Sequence, residues 1–424
     1  MRGRRHRRGR RHASADDPGP VAGGVHQEGQ GAAARLHRGL GPPQAERPGP
    51  ADRSVQGPLQ VARRQGREAH RQPVGRPGVP SFRTGTVTSL ISQRPGLQRV
   101  EVDGRRAYVL TRLTGPVAVG DRVVLNTTAV ELGLGTGGWD VVHWNLAREE
   151  WSEPGGGRVM KLRYTSLQVD VGAAEEAGEE PPADLAGTPV VACGLHSQVA
   201  CVAVAYAHAA PGSPLCYVMT DGGSLPLALS DLVAALTEKG LLVGTVTVGQ
   251  AFGGDREAVN LVSGLQVARR DFGAEAIVVG TGPGVVGTST ATGFSALEVA
   301  GIVDLAGRAG ARPVVALRWS DADARPRHRG LSHHSVAALQ YAHERAVVPI
   351  PSGASRVELG GLGGHDVVEL DVPDMAALLA QTAVEVTTMG RGPAQDAGFF
   401  TYAGAAGVAA ASLRDGPGSL GLRP

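Results

Sequence analysis

The chain has 424 residues, and its 42 lysines and arginines nearly balance its 40 aspartates and glutamates. The balance is uneven, because residues 1–80 carry 16 arginines and six acidic residues, a net charge of +10, which leaves −8 for residues 81–424. No stretch approaches the roughly 18 consecutive apolar residues of a membrane-spanning helix, and no apolar export signal follows the basic start. Three cysteines, none in a CxxC pair, argue against a disulfide framework. We therefore expect a cytoplasmic protein that does not enter a membrane.

Residues 1–80 are rich in arginine, glycine and proline and contain no aromatic residue. Such a segment cannot bury enough apolar surface to offset its chain entropy, so we predict a disordered extension. The run from Arg2 to His12 has the charge density of a nucleic-acid-binding arm, although it lacks aromatic residues for stacking on bases. Two other interpretations are a solvated tail without a role and a misassigned start or reading frame. The absence of lysine, isoleucine and asparagine favours the misassigned start.

Residues 81–150 are typical of a small antiparallel β barrel or sandwich. Alternating apolar residues predict strands over 82–90, 97–104, 105–111 and 120–132. Asp103-Gly104 between two of these strands is a strong hairpin signal. A stretch rich in glycine and proline, residues 149–157, predicts a linker after this domain.

Residues 158–412 alternate short apolar runs with longer helical ones. The predicted strands cover 189–193, 215–220, 242–248, 274–280, 312–319, 365–370 and 384–389. The predicted helices cover 198–210, 227–240, 255–273, 293–310 and 335–346. Continuous apolar strands separated by helices predict an α/β domain with a doubly wound, mostly parallel sheet. We expect residues 413–424 to be a flexible tail.

Ligands of such sheets bind beyond the carboxyl ends of the strands. The loops that follow the predicted strands are rich in glycine, histidine, aspartate and arginine, including His196, Asp221, Gly222, Gly223, Asp255 and Arg391. We expect all of these loops to lie on one edge and to form one pocket for a negatively charged ligand.

Gly282, Gly284 and Gly287 form a G-x-G-x-x-G pattern directly after a predicted strand. Glycines allow backbone N–H groups to approach a phosphate closely, as in dinucleotide-binding loops. The predicted helix starts late, near Gly293, and no acidic residue ends the next strand. An anion-binding loop and a plain tight turn therefore both remain open.

A basic cluster precedes the helix predicted after residue 332, with Ser332 as its expected N-cap. Its members are Arg325, Arg327, His328, Arg329, His333 and His334. Guanidinium groups bind phosphate or carboxylate through paired hydrogen bonds, and a helix N-terminus adds a favourable dipole. The alternative is a solvated basic loop.

The candidates for acid/base chemistry are His196, Asp221, Asp255, His333 and His334. Asp255 is equally well interpreted as a helix cap, and each histidine as a structural hydrogen-bonding residue. His333 and His334 are adjacent and belong to no HxxxH or HExxH motif, so we assign no metal ligand. The sequence identifies no cofactor.

Seven stretches, taken in order over about residues 82–412, resemble a bacterial family, domain-of-unknown-function family 3866. They are MKLRYTSLQ, TDGGSLPLA, AFGGDREAVN, GPGVVGTST, FSALE, RPRHRGLSHH and TTMGRGP. Residues 1–80 lie outside the resemblance. The resemblance implies a complete family member and, because the family has no established activity, supplies no catalytic residues.

Three functional hypotheses follow. The first is an enzyme acting on a small anionic ligand, a phosphorylated metabolite or nucleotide, through acid/base or metal-assisted chemistry. The second is a non-catalytic sensor that binds such a ligand and signals through the β domain. The third is a nucleic-acid-associated protein that uses the basic tail, which the net charge of −8 over residues 81–424 disfavours. The number of subunits is open, and a homo-oligomer is compatible with the sequence.

Overall fold

The computed structural model describes residues 80–134, 137–354, 362 and 364–421. The predicted disordered extension, residues 1–80, lies outside this part of the chain except for Pro80. The described residues belong to one compact unit. Among them, no helix combines the length and the apolar run that crossing a membrane requires.

The N-terminal part of this unit is a small closed β barrel. Its elements are β1 Phe82–Arg94, β2 Leu97–Val102, β3 Arg105–Val109, α1 Thr111–Thr114, β4 Arg122–Asn126, α2 Thr128–Glu131 and β5 Asp140–Asn145. The strands close in the order β1-β2-β3-β5-β4, and only the β3–β5 pair is parallel. Alternate valines and leucines fill the interior, as the period-two pattern predicts. The predicted β barrel is confirmed, although the sequence analysis missed β5.

The remaining elements form the α/β part. They are β6 Val159–Lys161, β7 Val169–Val171, β8 Pro189–Cys193, α3 His196–Ala209, β9 Leu215–Thr220, α4 Asp231–Glu238, β10 Gly244–Thr247, β11 Arg256–Glu257, α5 Leu261–Phe272, β12 Ala276–Thr281, α6 Glu298–Arg308, β13 Arg312–Ala316, β14 Trp319–Ser320, β15 Gly330–Leu331, α7 His333–Tyr341, β16 Val347–Pro351, β17 Asp366–Leu370, α8 Met375–Gln381 and α9 Ala397–Leu413.

Eight strands form one parallel sheet in the order β11-β10-β9-β12-β8-β13-β16-β17. Helices α3, α4, α8 and α9 contribute to the core on one face, and α5, α6 and α7 to the core on the other. The predicted doubly wound α/β fold is confirmed.

Strand β8 lies inside the sheet, between β12 and β13. Helix α3 connects β8 to β9, which lies beyond β12 in the sheet. Helix α6 connects β12 to β13, which lies on the other side of β8. Because α3 and α6 cover opposite faces, their loops diverge and leave a crevice at the carboxyl end of β8. This is the place where open α/β sheets bind their ligands.

The predicted secondary structure of the α/β part needs correction. Residues 384–389 are not a strand but an irregular segment, whose one bridge in the described structure joins Thr388 to Arg391. The sequence analysis also missed β16, α8 and α9. The predicted C-terminal tail, residues 413–424, begins at the last residue of α9 and includes a 3₁₀ turn, Pro417–Leu420. Within that turn, Leu420 packs against the core.

The barrel contacts the α/β part at the start of α4. Arg99 of β2 donates hydrogen bonds to both carboxylate oxygens of Asp231, each at 2.8 Å. Arg94 of β1 forms a 2.6 Å ion pair with the same carboxylate and donates to the Ala228 carbonyl oxygen. Two guanidinium groups on one carboxylate therefore join the barrel to residues 228–231.

Helix α9 is buried on nearly all sides and packs along α3. Gly407 is the point of closest approach, because an added Cβ would lie 2.4 Å from the Val202 carbonyl oxygen and 2.9 Å from the Tyr206 nitrogen. Gly301 of α6 is also helical, but an added Cβ there would meet no atom within 4 Å.

These two glycines provide a matched test of the α3–α9 contact. Gly301→Ala should raise the free energy of unfolding by about 1 kcal/mol through helix propensity alone. Gly407→Ala should instead lower it by about 1–3 kcal/mol, because the new methyl group forces the helices apart. Urea unfolding followed by circular dichroism measures both values. An equal gain in the two variants would contradict the close packing at Gly407.

Candidate functional site

A cleft of about 560 Å³ opens at the carboxyl end of β8. Three of its walls come from the loops that follow neighbouring strands: residues 195–197 after β8, residues 283–288 after β12, and residues of the long segment after β13. Residues 385–389 and Leu232 of α4 complete the lining. The cleft therefore occupies the crevice that the strand order creates.

The N-terminus of α3 faces this cleft. Leu195 has an extended backbone, and its N–H group donates to the Gln198 side chain at 2.9 Å, which caps the first turn. The first N–H groups of a helix have no acceptor within it, so the N–H groups of His196 and Ser197 are free to bind a ligand. Both residues line the cleft. The helix dipole adds partial positive charge at this position.

His196 is hydrogen-bonded at both ring nitrogens. Its Nδ1 donates to the Thr281 carbonyl oxygen at 2.9 Å, and its Nε2 accepts from the Ser230 hydroxyl at 2.7 Å. Burial lowers the pKa of His196 to about 4, so the ring is neutral at physiological pH. The ring thus connects the last residue of β12 to the N-cap of α4.

Arg318 and Arg325 form a basic wall around the buried Asp323. Arg325 donates to both carboxylate oxygens of Asp323, at 2.9 and 2.8 Å, and Arg318 lies 3.5 Å away. The hydrogen bonds from Arg325 hold the pKa of Asp323 well below its usual range. Burial, aided by the neighbouring Arg325, lowers the pKa of Arg318 to about 10, so Arg318 remains charged at neutral pH. Both guanidinium groups line the cleft.

Arg327 lines the cleft without a carboxylate partner among the described residues. Its Nε donates to the His328 Nε2 at 3.3 Å. Arg329 is exposed and does not line the cleft. Arg391 lies behind the basic wall, where it forms a 2.9 Å ion pair with the buried Asp396. Of the predicted arginines, Arg325 and Arg327 therefore reach the cleft.

His328, His333 and His334 pack ring against ring, with centroids 4.4–4.8 Å apart. One nitrogen from each ring lies within 4.8 Å of the others, a spacing that could hold a metal ion. Burial, followed by the charge of Arg318, lowers the pKa of His328 and of His334 to about 3. The same positive charge opposes a divalent cation at this position.

The glycine loop after β12 does not have the geometry of a dinucleotide-binding loop. Such a loop leads directly into a helix, whereas here the chain forms a hairpin-like bridge from Gly287 to Phe294, and α6 begins only at Glu298. Gly284, at φ +107°, and Gly287 line the cleft. Gly282 does not line it, and an added Cβ there would lie 2.2 Å from the Ser224 carbonyl oxygen.

The loops after β9 and β10 lie outside the cleft lining. Asp221 accepts a hydrogen bond from the Gln250 N–H at 3.0 Å. Asp255 accepts from the backbone N–H and the hydroxyl of Thr245, at 2.9 and 2.8 Å. Its alternative role as a helix cap is also not seen, because α5 begins at Leu261 with Asn260 as its N-cap. Of the loops expected to form one pocket, those after β8, β12 and β13 line the cleft together with residues 387–389, whereas those after β9 and β10 do not.

Gly222 and Gly223 make room for neighbouring groups. An added Cβ at Gly222 would lie 2.5 Å from the Glu298 carboxylate, and one at Gly223 would lie 2.6 Å from the Gly282 carbonyl oxygen. Burial, together with the charge of Asp221, raises the pKa of Glu298 to about 7. The Thr220 hydroxyl donates to Glu298 at 3.0 Å. Sequence analysis did not select Glu298, because a glutamate at the start of a helix is common.

Several lining residues were missed. Arg318 directly follows the buried run of β13, and a lone arginine at the end of such a strand was the available signal. Leu195 and Leu232 are aliphatic residues of a common kind, and nothing in the sequence distinguishes them as lining residues. Residues 385–389 were predicted as a strand, and nothing in their sequence indicates that they cover the cleft.

The comparisons with known proteins agree with the motifs quoted above. No curated protein matches the chain. The sequence model of one family, described as a protein of unknown function, DUF3866, matches residues 106–407. This match covers the greater part of the chain, including β4, β5, all but the first residue of β3, and every segment that lines the cleft. The chain therefore belongs to the DUF3866 family.

Proposed function

We propose that the cleft binds a small anionic ligand that carries a phosphate group. The observation that carries this proposal is Arg327, a charged group that faces the cleft without a counter-ion among the described residues. Arg318 and Arg325 add further guanidinium donors on the same wall. Guanidinium groups hold phosphate oxygens through paired, charge-assisted hydrogen bonds.

The N-terminus of α3 supports the same proposal from another wall. The N–H groups of His196 and Ser197 and the dipole of a 14-residue helix favour a negative charge beside them. The loop 283–288 adds backbone at a position where Gly284 leaves the approach unobstructed. Hydrogen-bond donors in the segments that follow β8, β12 and β13 therefore line the same cleft.

The histidines contribute as neutral groups. At physiological pH, His196, His328 and His334 can donate or accept hydrogen bonds but add no charge, because their pKa values lie at about 3–4. The arginines and the helix therefore supply the attraction for the anion. Acid/base roles for His196, His333, His334, Asp221 and Asp255 stay predictions.

The first test replaces Arg327 and uses Arg329 as the matched control. Arg327→Ala should weaken binding of inorganic phosphate about 10–100-fold, the value of a hydrogen bond to a charged group. Arg329→Ala removes the same charge two residues away but outside the lining, so its affinity should stay within about two-fold. Isothermal titration calorimetry at fixed ionic strength measures both variants. Equal losses would indicate a diffuse charge effect and contradict a defined site.

The second test uses pH. Sulfate keeps its charge between pH 6 and 8, the arginines stay protonated, and the three histidines stay neutral because their pKa values are lowered well beneath this range. Sulfate affinity should therefore change less than about two-fold across this interval, because neither the sulfate nor these side chains change their charge. A tenfold change would correspond to about 1.4 kcal/mol of binding free energy. A tenfold gain towards pH 6 would mean that a histidine takes up a proton on binding, and it would contradict the neutral cluster.

A further inference from the structure

The walls of the cleft differ in chemistry. The wall formed by the segment after β13 presents Arg318, Arg325 and Arg327. Leu195, Leu232 and Val386 line the cleft from the α3 side of the sheet, where they pack against the core. Arg318 lies towards the other face, where its backbone N–H donates to Ser335 of α7. The segments that carry the three aliphatic side chains also line the cleft with Ser197, Glu385, Thr387 and Thr388. A ligand that fills the cleft therefore meets guanidinium charge on one side and a mixed surface with three aliphatic side chains on the other.

The cleft is too large for a bare anion. Its volume of about 560 Å³ lies in the range of sites that enclose whole small molecules. A phosphate group is much smaller than this volume, so most of the lining stays uncovered, and Leu195, Leu232 and Val386 are among the aliphatic side chains that a larger ligand can cover. Covering these side chains is favourable, since each buried methylene contributes about 0.8 kcal/mol.

The lining offers no platform for a nucleobase. Among the described residues that line the cleft there is no phenylalanine, tyrosine or tryptophan. The rings present are those of His196, His328 and His334, and Phe294 already covers one face of His334 at a centroid distance of 3.8 Å. Stacking on aromatic side chains is the usual way in which a protein holds a base. An aliphatic group suits these walls better.

The rim of the cleft is also apolar. Val286 and Met389 line the cleft and are 67% and 64% exposed, respectively, among the most exposed large hydrophobic side chains of the described residues. Met389 is held in a left-handed backbone conformation, with φ +48°, at the end of the segment that covers the cleft. An aliphatic chain that extends from a phosphate at the arginines along Leu195, Leu232 and Val386 would cover Val286 and Met389 as well.

We propose that the ligand is a phosphate monoester of an aliphatic alcohol. The phosphate group binds between the N-terminus of α3 and the side chains of Arg318, Arg325 and Arg327, and the hydrocarbon chain lies along Leu195, Leu232 and Val386. This inference rests on the proposed function, because it takes the basic wall as the anion site. It adds the class of the ligand: the part attached to the phosphate is hydrocarbon and not sugar or base.

The test measures by calorimetry how tightly the full chain binds five probes: inorganic phosphate, n-propyl phosphate, n-butyl phosphate, glycerol 3-phosphate and AMP. Each methylene that enters the cleft should increase affinity about four-fold. We therefore expect n-butyl phosphate to bind at least ten-fold more tightly than inorganic phosphate. n-Propyl phosphate should bind more tightly than glycerol 3-phosphate, which has the same three carbons but carries two hydroxyls.

Variants of the cleft lining test whether these side chains cause the preference for n-butyl phosphate over inorganic phosphate. Leu232→Asn and, separately, Val386→Asn should each reduce the ratio of n-butyl phosphate to inorganic phosphate affinity about four-fold or more. Leu305→Asn changes an exposed leucine of α6 outside the cleft and should keep the ratio of the unaltered protein. Circular dichroism establishes that each variant is folded. Two cleft variants are used so that the test can still be made if one of them does not fold.

The outcomes separate this inference from the proposed function. Phosphate binding that depends on Arg327, without a gain from the alkyl chain, would overturn the aliphatic ligand and leave the anion site standing. Tighter binding of glycerol 3-phosphate or AMP than of the alkyl phosphates would do the same. If none of the probes, including inorganic phosphate, binds the protein, the proposed function itself fails.

Discussion

The cleft depends on one buried carboxylate. Asp323 is 4% exposed and accepts hydrogen bonds from the Arg325 side chain and backbone, while Arg318 and Arg391 lie within 3.8 Å. Three guanidinium groups cannot crowd together in a partly buried loop without a counter-charge. Asp323 fixes their positions, Asp396 pairs with Arg391 as a second carboxylate, and Arg327 adds a fourth guanidinium group without a carboxylate partner among the described residues. The excess positive charge therefore stays at the edge of the sheet, where Arg327 reaches the cleft.

A second buried carboxylate holds the cover of the cleft in place. Asp396 pairs with Arg391, and it accepts a hydrogen bond from the Ser320 hydroxyl at 2.6 Å. Arg391 is bridged to Thr388, so the segment 385–389 is fixed to the strand end after β13. Arg391, which sequence analysis selected as a ligand-binding residue, thus lies where it positions other lining residues.

The sequence predicted the strands better than their order. β8 and β9 match the predicted bounds because each is an apolar run between polar loops. β16 was missed because it contains two prolines, and α9 because it is apolar on all faces and shows no helical periodicity. Asp221 and Asp255 were grouped with His196 because the carboxyl ends of parallel strands lie at one edge of the sheet. β12 is inserted between β9 and β8, and no local pattern encodes that insertion.

The start of α4 links the cleft to the barrel. Three successive residues at the start of α4 face three different structures: Ser230 binds His196, Asp231 binds Arg94 and Arg99 of the barrel, and Leu232 lines the cleft. Because these residues are adjacent in one chain segment, the hydrogen bond to His196, the contact with the barrel and part of the cleft lining share one turn of helix. This connection is the physical basis on which a sensor, as well as an enzyme, could be built from the fold.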